Sequence, residues 1–178
     1  MASYIDMEEI NPVTSIKIDY IEPLQGYKVD LETLVQEYNS VKHLLKDNKP
    51  KHSYLSLPAK ALPLVQGNIS TDIIKSLPYT SEITTELRNK YVFNTVCYRC
   101  VMPQTCYDWH VDWGEITLHI PLITNEGCRF VYENKSFHMP ADGTIYIINN
   151  EKYHSFMNAG REPRIHLTID NYVSKPLR

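Results

Sequence analysis

The stretch ITLHIPLITNEGCRFVYENKSFHMPADGTIYIIN, residues 116–149, decides the fold class. In it, short runs rich in β-branched and aromatic residues alternate with turn-forming sequences at Thr124-Asn-Glu-Gly, Glu133-Asn-Lys and Pro140-Ala-Asp-Gly. The same alternation continues on both sides, with further turns at Asp112-Trp-Gly, Asn149-Asn-Glu and Asn158-Ala-Gly. About eight strands at this spacing are typical of a sandwich or jelly roll rather than of a parallel sheet.

The first ninety residues have a different pattern, which predicts helix and loop. Residues 15–21 alternate like a short strand. Residues 50–67 contain three prolines and are predicted to run over the surface as extended chain. Residues 71–76 and 81–90 are predicted to form two short helices. A longer helix is predicted to start after Asp30, a typical N-cap residue, because apolar residues then recur at helical spacing: Leu31, Leu34, Val35, Tyr38, Val41 and Leu45.

Together these patterns predict a single domain, residues 1–178, that is mainly β with flanking helices. A double-stranded β-helix, or jelly roll, is expected over residues 91–172 and would carry the functional site. Residues 1–90 are expected to form a helical and loop support region packed against one sheet of that core. A chain of 178 residues is long enough to bury such a core without disulfides or a structural metal.

The composition argues against several classes of protein. No apolar run approaches the roughly 18 residues that a transmembrane helix needs, so no membrane partner is expected. The N-terminal sequence MASYIDMEE is acidic and lacks the apolar core of a secretory signal, so we expect a cytoplasmic location. The net charge is -3 and the basic residues are scattered, which argues against a nucleic-acid partner.

The four cysteines are not expected to hold a metal. Cys97 and Cys100 form one C-x-x-C pair, but they fall on a predicted strand. Residues three apart on a strand face opposite sides, so this pair cannot bind one zinc ion together. Cys97, Cys100, Cys106 and Cys128 are therefore interpreted as reduced thiols of a cytosolic protein.

The centre of the functional prediction is the pentapeptide Trp109-His-Val-Asp-Trp113. On a strand, His110 and Asp112 project from the same face, because side chains alternate between faces. An imidazole and a carboxylate presented in this way can bind adjacent positions of one metal ion. Such a pair is expected about once by chance in a chain of this composition, so it needs support from elsewhere in the sequence.

That support comes from His154, which begins another predicted strand. A jelly roll places its first and penultimate strands side by side, which would bring His154 next to His110 and Asp112. Two histidines and one carboxylate on one face of a metal leave open positions, an arrangement that suits iron(II). Arg164 begins the following strand and would be placed to bind a dicarboxylate deeper in the barrel. Taken singly, His110 is better explained as a surface or core histidine, Asp112 as a residue that opens a turn and His154 as a loop residue.

As a set, these motifs resemble the aspartyl/asparaginyl β-hydroxylase-like group of 2-oxoglutarate-dependent oxygenases, which includes free-proline hydroxylases. The resemblance covers about residues 91–172 and does not extend to the first ninety residues. It is carried by YRCVMP from Tyr98, by His110-Val-Asp112, by HIPL from His119 with GCRF from Gly127, by GTIYIIN from Gly143, and by His154, Asn158 and RIHL from Arg164.

The resemblance implies the jelly-roll fold and a set of residue roles. His110, Asp112 and His154 would bind Fe(II), Arg164 would bind the distal carboxylate of 2-oxoglutarate, and His119 would contact the same cosubstrate. One departure from the family pattern is Thr117, which stands where an arginine is usual. Arg99 is predicted to supply the missing positive charge to a carboxylate of the cosubstrate. A second position agrees with the fuller pattern, since Asp112 retains a carboxylate that some members replace with glycine.

The implied function is hydroxylation of an aliphatic C–H bond with O₂, Fe(II) and 2-oxoglutarate. The resemblance further implies an amino acid, free or within a peptide, as the substrate. An alternative is a metal-dependent enzyme of the cupin type that does not use 2-oxoglutarate, in which Arg164 would be structural or substrate-binding. A third hypothesis is a catalytically silent sandwich that binds a sugar or peptide and no metal.

Overall fold

The computed structural model describes residues 18–48, 59–67, 69–91, 93–112 and 116–170. Two β-sheets face each other and helices cover the outer face of the larger one. The elements of the first ninety residues are β1 (Ile21–Lys28), α1 (Leu31–Val41) with a 3₁₀ turn (Lys42–Leu44), β2 (Lys46–Asp47), β3 (Ala59–Gln66), β4 (Ile69–Ser70), α2 (Asp72–Lys75) and α3 (Pro78–Tyr91). The remaining strands are β5 (Thr95–Val101), β6 (Thr105–Cys106), β7 (Ile116–Ile123), β8 (Cys128–Tyr132), β9 (Lys135–Phe137), β10 (Thr144–Asn149), β11 (His154–Asn158) and β12 (Arg164–Asp170).

The larger sheet has the order β1-β10-β7-β12-β5-β3-β2, with β4 paired to β3, and the smaller sheet has the order β6-β11-β8-β9. All of the described pairings are antiparallel. The eight strands expected after residue 91 are confirmed, and the fold class predicted from the sequence is confirmed as a double-stranded β-helix with flanking helices.

The helix predicted after Asp30 is confirmed. The Asp30 carboxylate accepts a hydrogen bond from the Thr33 backbone N–H, which satisfies one of the free donors at the start of α1. The carboxylate of Glu37 then accepts the backbone N–H groups of Tyr79 and Thr80, each at 2.8 Å, and so fastens α1 to the start of α3. The two shorter helices are also present, as α2 and α3.

The first ninety residues contribute more strand than their sequence predicts. The expected surface course of residues 50–67 is wrong for β3, which lies inside the larger sheet between β5 and β2 and buries Leu62, Leu64 and Val65. Residues 50–58 of that prediction lie outside the described residues. The strand predicted at residues 15–21 is also displaced, because β1 begins at Ile21; residues 15–17 lie outside the described part of the chain.

Two cores follow from the two faces of the larger sheet. Its outer face packs Ile165, Leu167 and Ile169 of β12 against helical residues that include Leu34, Tyr38 and Leu87. Its inner face meets the smaller sheet, and an aromatic cluster around Phe130 and Tyr132 fills part of that space. The residues of β12 that face inward are polar, and this exception to an apolar interior marks the candidate site.

None of the described helices combines the length and the apolar character needed to span a bilayer. The four cysteines are free thiols, as expected; Cys97, Cys100 and Cys128 are buried and Cys106 is exposed.

Candidate active site

His110, Asp112 and His154 come together at one end of the space between the sheets. One ligand atom from each residue lies within 4.8 Å of the other two. Nε2 of His110 lies 3.9 Å from one Asp112 oxygen, and Nε2 of His154 lies 3.9 Å from the other. The two imidazole rings are 4.4 Å apart between centroids. The structure therefore assembles the three side chains that the sequence predicts as metal ligands.

Backbone contacts fix which nitrogen each histidine presents. Nδ1 of His110 lies 2.6 Å from the Asp108 carbonyl oxygen, and Nδ1 of His154 lies 2.7 Å from the Lys152 carbonyl oxygen. A carbonyl oxygen can only accept, so each Nδ1 must carry the proton and donate it. The lone pair of each neutral ring is then on Nε2, the atom that faces Asp112. This is the tautomer that a metal-binding histidine needs.

The strand predicted through His110 and Asp112 is only partly formed. His110 makes an isolated antiparallel bridge with His154, in which each backbone N–H donates to the other residue's carbonyl at 2.9 Å. Asp112 lies outside any strand, but its backbone N–H donates to the Asn150 carbonyl at 3.1 Å. These bonds, rather than a continuous ladder, bring the three residues together.

His154 is in a setting that favours the neutral ring. Burial lowers its pKa below the ordinary value, and the neighbouring His110 lowers it further, whereas the Lys152 carbonyl and Asp112 raise it. Its ring also stacks on Phe130, with 4.8 Å between centroids. Asp112, by contrast, keeps 52% of its side-chain surface exposed, so the cluster has one buried and one open side.

Arg164 lies deeper in the same interior and is buried with no acidic partner. Only 5% of the residue is exposed, and no carboxylate of the described residues lies within ion-pair distance of it. Burial lowers its pKa to about 10, which still leaves it charged at neutral pH. A buried cation without a counter-ion is costly, so this position calls for an anionic ligand.

Two histidines surround this guanidinium. Arg164 Nε donates to Nε2 of His166 at 3.0 Å, while Nη2 lies 2.8 Å from Nδ1 of His166 and 3.4 Å from Nδ1 of His119. Burial, and then the charge of Arg164, hold the pKa of both histidines well below the ordinary value. Both rings are therefore neutral and cannot balance the arginine's charge. His119 thus lies next to Arg164, and its expected contact with the cosubstrate stays a prediction.

A small cleft opens beside Arg164 and is lined also by Thr124, Phe130, Phe156 and His166. The Thr124 hydroxyl is buried and has no hydrogen-bond partner among the described residues. Phe130 stacks on Phe156 with 6.1 Å between centroids, and the Phe156 ring lies 5.2 Å from the Arg164 guanidinium carbon. Because Phe130 also stacks on His154, these rings form one wall from the histidine cluster to the arginine.

Two other arginines take different positions. Arg161 is exposed in the turn before β12. Arg99 lies on the inner face of β5, where Nε donates to the Thr168 hydroxyl and Nη2 forms a 3.0 Å ion pair with Asp170. Arg99 therefore has a counter-ion of its own, and the expected contact with the cosubstrate stays a prediction.

The sequence motifs assigned no role to His166 or to Thr124. His166 alternates with Arg164 on β12, and that shared face was the available signal. Thr124 begins a turn sequence, Thr124-Asn-Glu-Gly, and nothing in the sequence shows that its hydroxyl points into the cleft.

A comparison with known protein families identifies the family to which this chain belongs. Residues 29–173 match the family profile described as aspartyl/asparaginyl beta-hydroxylase. The chain belongs to this family. The match also includes α1 to α3, for which the sequence motifs alone gave no relative.

One curated relative of this hydroxylase-family chain is an L-proline cis-4-hydroxylase from Rhizobium meliloti (strain 1021), 32% identical over 108 residues. That alignment covers 57% of this chain and 38% of the relative, so the chain spans well under half the length of that enzyme. Among solved structures, a viral collagen prolyl hydroxylase from Paramecium Bursaria Chlorella virus-1, determined as a 2OG complex, has a TM-score of 0.56 at 16% identity, covering 85% of this chain and 95% of that one.

A second structure, an oxidoreductase of the 2OG-Fe(II) oxygenase family from Burkholderia pseudomallei, also has a TM-score of 0.56, at 13% identity, covering 84% of this chain and 82% of that one. At these identities the two structures establish the fold, which this hydroxylase-family chain shares over most of its length.

Proposed function

We propose that this chain is an Fe(II)- and 2-oxoglutarate-dependent hydroxylase that acts on an aliphatic C–H bond. The observation that carries the proposal is the pairing of two features in one interior. A cluster of His110, Asp112 and His154 lies at one end, and the buried, unpaired cation of Arg164 lies at the other. A metal bound at the first feature and a dicarboxylate bridging to the second would satisfy both.

The donor set fits Fe(II). Two neutral imidazoles and one carboxylate are the ligand types that non-haem iron(II) oxygenases use, and they leave positions open for other molecules. In this chain both histidines present Nε2, because their Nδ1 protons are held by backbone carbonyls. The residues that would hold the metal are therefore oriented without it.

The deep end of the cleft fits the far carboxylate of 2-oxoglutarate. Arg164 can offer charge-assisted hydrogen bonds, and the unpartnered Thr124 hydroxyl can donate one more. Neutral His119 and His166 hold the guanidinium in position without competing for the anion. The aromatic wall of Phe130 and Phe156 keeps water away from this end, which strengthens the ionic contact.

When bound, the iron and the cosubstrate would supply the oxidising chemistry with O₂, converting 2-oxoglutarate to succinate and CO₂ as the substrate C–H is hydroxylated. The residues of this chain bind and orient these groups. Asp112, with half of its side chain exposed, marks the open side through which a substrate would approach.

We further propose an amino acid, free or within a peptide, as the substrate. Support comes from family membership and from the L-proline cis-4-hydroxylase that resembles part of the chain. A cytoplasmic location and the lack of a nucleic-acid partner remain predictions from the sequence. So does the division into a support region of residues 1–90 and a catalytic core of residues 91–172.

The test is release of succinate from 2-oxoglutarate with Fe(II) under air, across a panel of L-proline, L-aspartate, L-asparagine and short peptides. We expect substrate-stimulated succinate release and a product heavier by one oxygen atom. Iron binding without 2-oxoglutarate turnover would favour the cupin-type alternative, which leaves the charge of Arg164 unbalanced. Failure to bind iron would favour the silent binding sandwich.

A further inference from the structure

Two lysines converge on one aromatic ring outside the metal cluster. The ammonium group of Lys135 lies 4.1 Å from the centre of the Tyr20 ring, and that of Lys152 lies 4.2 Å from it. The ring is fixed by its own contacts, since it stacks on Phe137 at 5.9 Å and meets Tyr132 edge to face at 5.2 Å between centroids. Cation–π contacts with this ring hold both ammonium groups in place before any ligand binds. We call Tyr20, Lys135 and Lys152 the lysine–tyrosine site.

The two lysines of this site have no acidic partner in the described part of the chain. Asp19, Glu133 and Glu151 are close to the site in sequence and exposed. No described carboxylate, however, lies within ion-pair distance of Lys135 or Lys152. Two like charges that share one ring repel each other, so an anion that contacts both of them would be stabilised.

The smaller sheet places Lys135 in line with the metal ligand His154. His154 of β11 pairs directly with Tyr132 of β8, and Tyr132 pairs directly with Lys135 of β9. Residues that lie directly opposite each other in a ladder project from the same face of the sheet, so these three side chains form one row. Neighbouring strands are about 4.8 Å apart, which puts the Lys135 backbone about 10 Å from that of His154. The lysine–tyrosine site therefore lies beside the metal cluster and on the same face of the sheet.

Exposed aromatic rings also flank the metal ligands. Trp109 precedes His110 and Tyr153 precedes His154, and the two aromatic rings stack with 5.6 Å between centroids. Trp109 is 43% exposed and Tyr153 is 55% exposed. Tyr153 follows Lys152 in the loop between β10 and β11, so this loop contributes to both the aromatic pair and the lysine–tyrosine site. Tryptophan and tyrosine are enriched among the contact residues of protein interfaces, which favours a partner larger than a free amino acid.

We propose that the substrate is presented within a peptide segment, and that the lysine–tyrosine site binds an acidic side chain of that segment. This inference rests on the proposed hydroxylase function and narrows its substrate class. An extended segment rises about 3.3 Å per residue, so the acidic residue lies about three to five positions from the residue that is hydroxylated. Trp109 and Tyr153 contact apolar groups of the same segment.

The charges favour an acidic peptide over other anions. The site offers two cations, which suits one carboxylate, whereas binding of a nucleic acid depends on many phosphate contacts. The net charge of the chain is -3, and its other basic residues are scattered along the sequence. A free amino acid held at the metal cannot reach Lys135, which lies two strands away from His154. The lysine–tyrosine site therefore gains an anionic partner only from a longer substrate.

Matched peptides provide the test. The probes are 11-residue peptides of Ser, Gly and Ala with L-proline, L-aspartate or L-asparagine at the centre, and with one Glu or one Gln at positions one to five on either side. Anaerobic calorimetry on the Mn(II)- and 2-oxoglutarate-loaded protein measures their affinity. We expect Glu at three to five positions from the centre to bind about 3- to 10-fold more tightly than Gln, and this preference to disappear in about 0.5 M NaCl.

Charge-swapped variants assign the preference to residues. Lys135→Gln/Lys152→Gln should bind Glu and Gln peptides equally, and Lys135→Glu/Lys152→Glu should prefer a peptide with Lys to one with Glu. A reversed preference cannot arise from damage to the fold. Lys42→Gln/Lys46→Gln, at exposed positions in the 3₁₀ turn and β2, is the matched control and should keep the wild-type preference. Mn(II) affinity checks that the metal cluster is intact, because Lys152 supports His154 only through its backbone carbonyl.

The outcomes separate this inference from the proposed function. Equal affinity of Glu and Gln peptides at every position overturns the inference, as does a preference that survives in Lys135→Gln/Lys152→Gln. Tighter binding of a free amino acid than of every peptide, or of a ten-nucleotide single-stranded RNA than of every Glu peptide, overturns it as well. In each case succinate release by the wild-type protein still supports the hydroxylase. The absence of 2-oxoglutarate turnover with every substrate counts against the proposed function, because peptide binding to the Mn(II)-loaded protein requires no turnover.

Discussion

The two ends of the barrel interior are built in different ways. The metal end joins His110 and Asp112, which lie between strands, to His154 at the start of β11, and isolated backbone hydrogen bonds hold them together. The deep end places Arg164 and His166 on β12 and His119 on β7, two adjacent strands that are hydrogen-bonded to each other. The first is half open and the second is fully buried.

The difference reflects what each end must do under the proposed function. A metal site needs positions open to O₂ and substrate, so it cannot be enclosed by regular sheet. A site for the far carboxylate of 2-oxoglutarate gains from burial, because an ionic contact is stronger away from water. Metal binding at the first end should therefore depend on the individual ligands. Binding of 2-oxoglutarate at the deep end should depend on charge and packing.

The largest effect is expected at the metal end. His110→Ala, Asp112→Ala or His154→Ala should each lower the affinity for Mn(II) or Fe(II) by about 100-fold or more and abolish coupled turnover, because each removes one of the three protein ligands of the metal. Anaerobic metal titration measures this directly. His138→Ala is the matched control, since His138 binds the Cys128 carbonyl outside the cluster. Wild-type metal retention in all three variants would contradict the proposed site.

At the deep end, Arg164→Lys should weaken 2-oxoglutarate binding by about 30- to 1,000-fold, equivalent to about 2–4 kcal/mol. Lysine retains the charge but cannot offer the planar fork of the guanidinium, nor the contacts with His166. Isothermal titration with 2-oxoglutarate is the measurement, and metal affinity should be retained.

Arg161→Lys is the control for that substitution, because Arg161 is exposed in the turn only three residues earlier. Its 2-oxoglutarate affinity should equal that of the wild-type protein. If Arg161→Lys proved to be the weakened variant, the assignment of Arg164 to the cosubstrate would be wrong.

The sequence predicted the two ends with different success. At the deep end the alternation of β12 gave the inward face of Arg164 and His166 directly, because a strand has a strict period of two. At the metal end the predicted strand through His110 and Asp112 is replaced by a bridge and a loop. The three residues were still identified, since their types and order carry the prediction even where the local conformation differs.

The first ninety residues were harder to interpret. β3 carries Pro63 and follows a proline-containing segment, so its sequence resembles a surface loop, yet it is a buried strand of the larger sheet. Its partners in that sheet are distant in sequence, and a pairing set by tertiary contacts leaves little trace in local pattern. The orientation of the Thr124 hydroxyl was not predictable for the same reason.

The pH dependence of folding tests the buried histidines of the deep end. The pKa values of His119 and His166 lie well below 6.5 in the folded protein, because burial and Arg164 oppose protonation. The unfolded chain therefore binds more protons below about pH 6.5, and the free energy of unfolding should fall as the pH drops below that value. Each histidine contributes a slope of at most about 1.4 kcal/mol per pH unit.

His166→Gln should therefore reduce the slope of the unfolding free energy against pH between pH 5.0 and 6.5. The reduction should be at most the contribution of one proton, or about 1.4 kcal/mol per pH unit. Urea titrations at several pH values provide the measurement. His43→Gln, at an exposed position in the 3₁₀ turn, should leave the slope unchanged. An unchanged slope in His166→Gln would mean that this ring is not held neutral by its surroundings.

The smallest effect on the site is expected from Thr117→Val. This substitution should lower the stability of the fold while leaving the metal ligands in place. The Thr117 hydroxyl accepts a hydrogen bond from the buried Asn150 side chain, so valine leaves that amide without its acceptor. The free energy of unfolding should fall by about 1–3 kcal/mol. Asp112, however, is held by the Asn150 backbone carbonyl rather than by its side chain, and that bond remains. Metal affinity should therefore fall by less than about tenfold, or 1.4 kcal/mol. If Thr117→Val lowered the metal affinity as much as Asp112→Ala does, metal binding would depend on the hydrogen bond between the Thr117 and Asn150 side chains. The metal end would then rely on its surrounding side chains as closely as the deep end does.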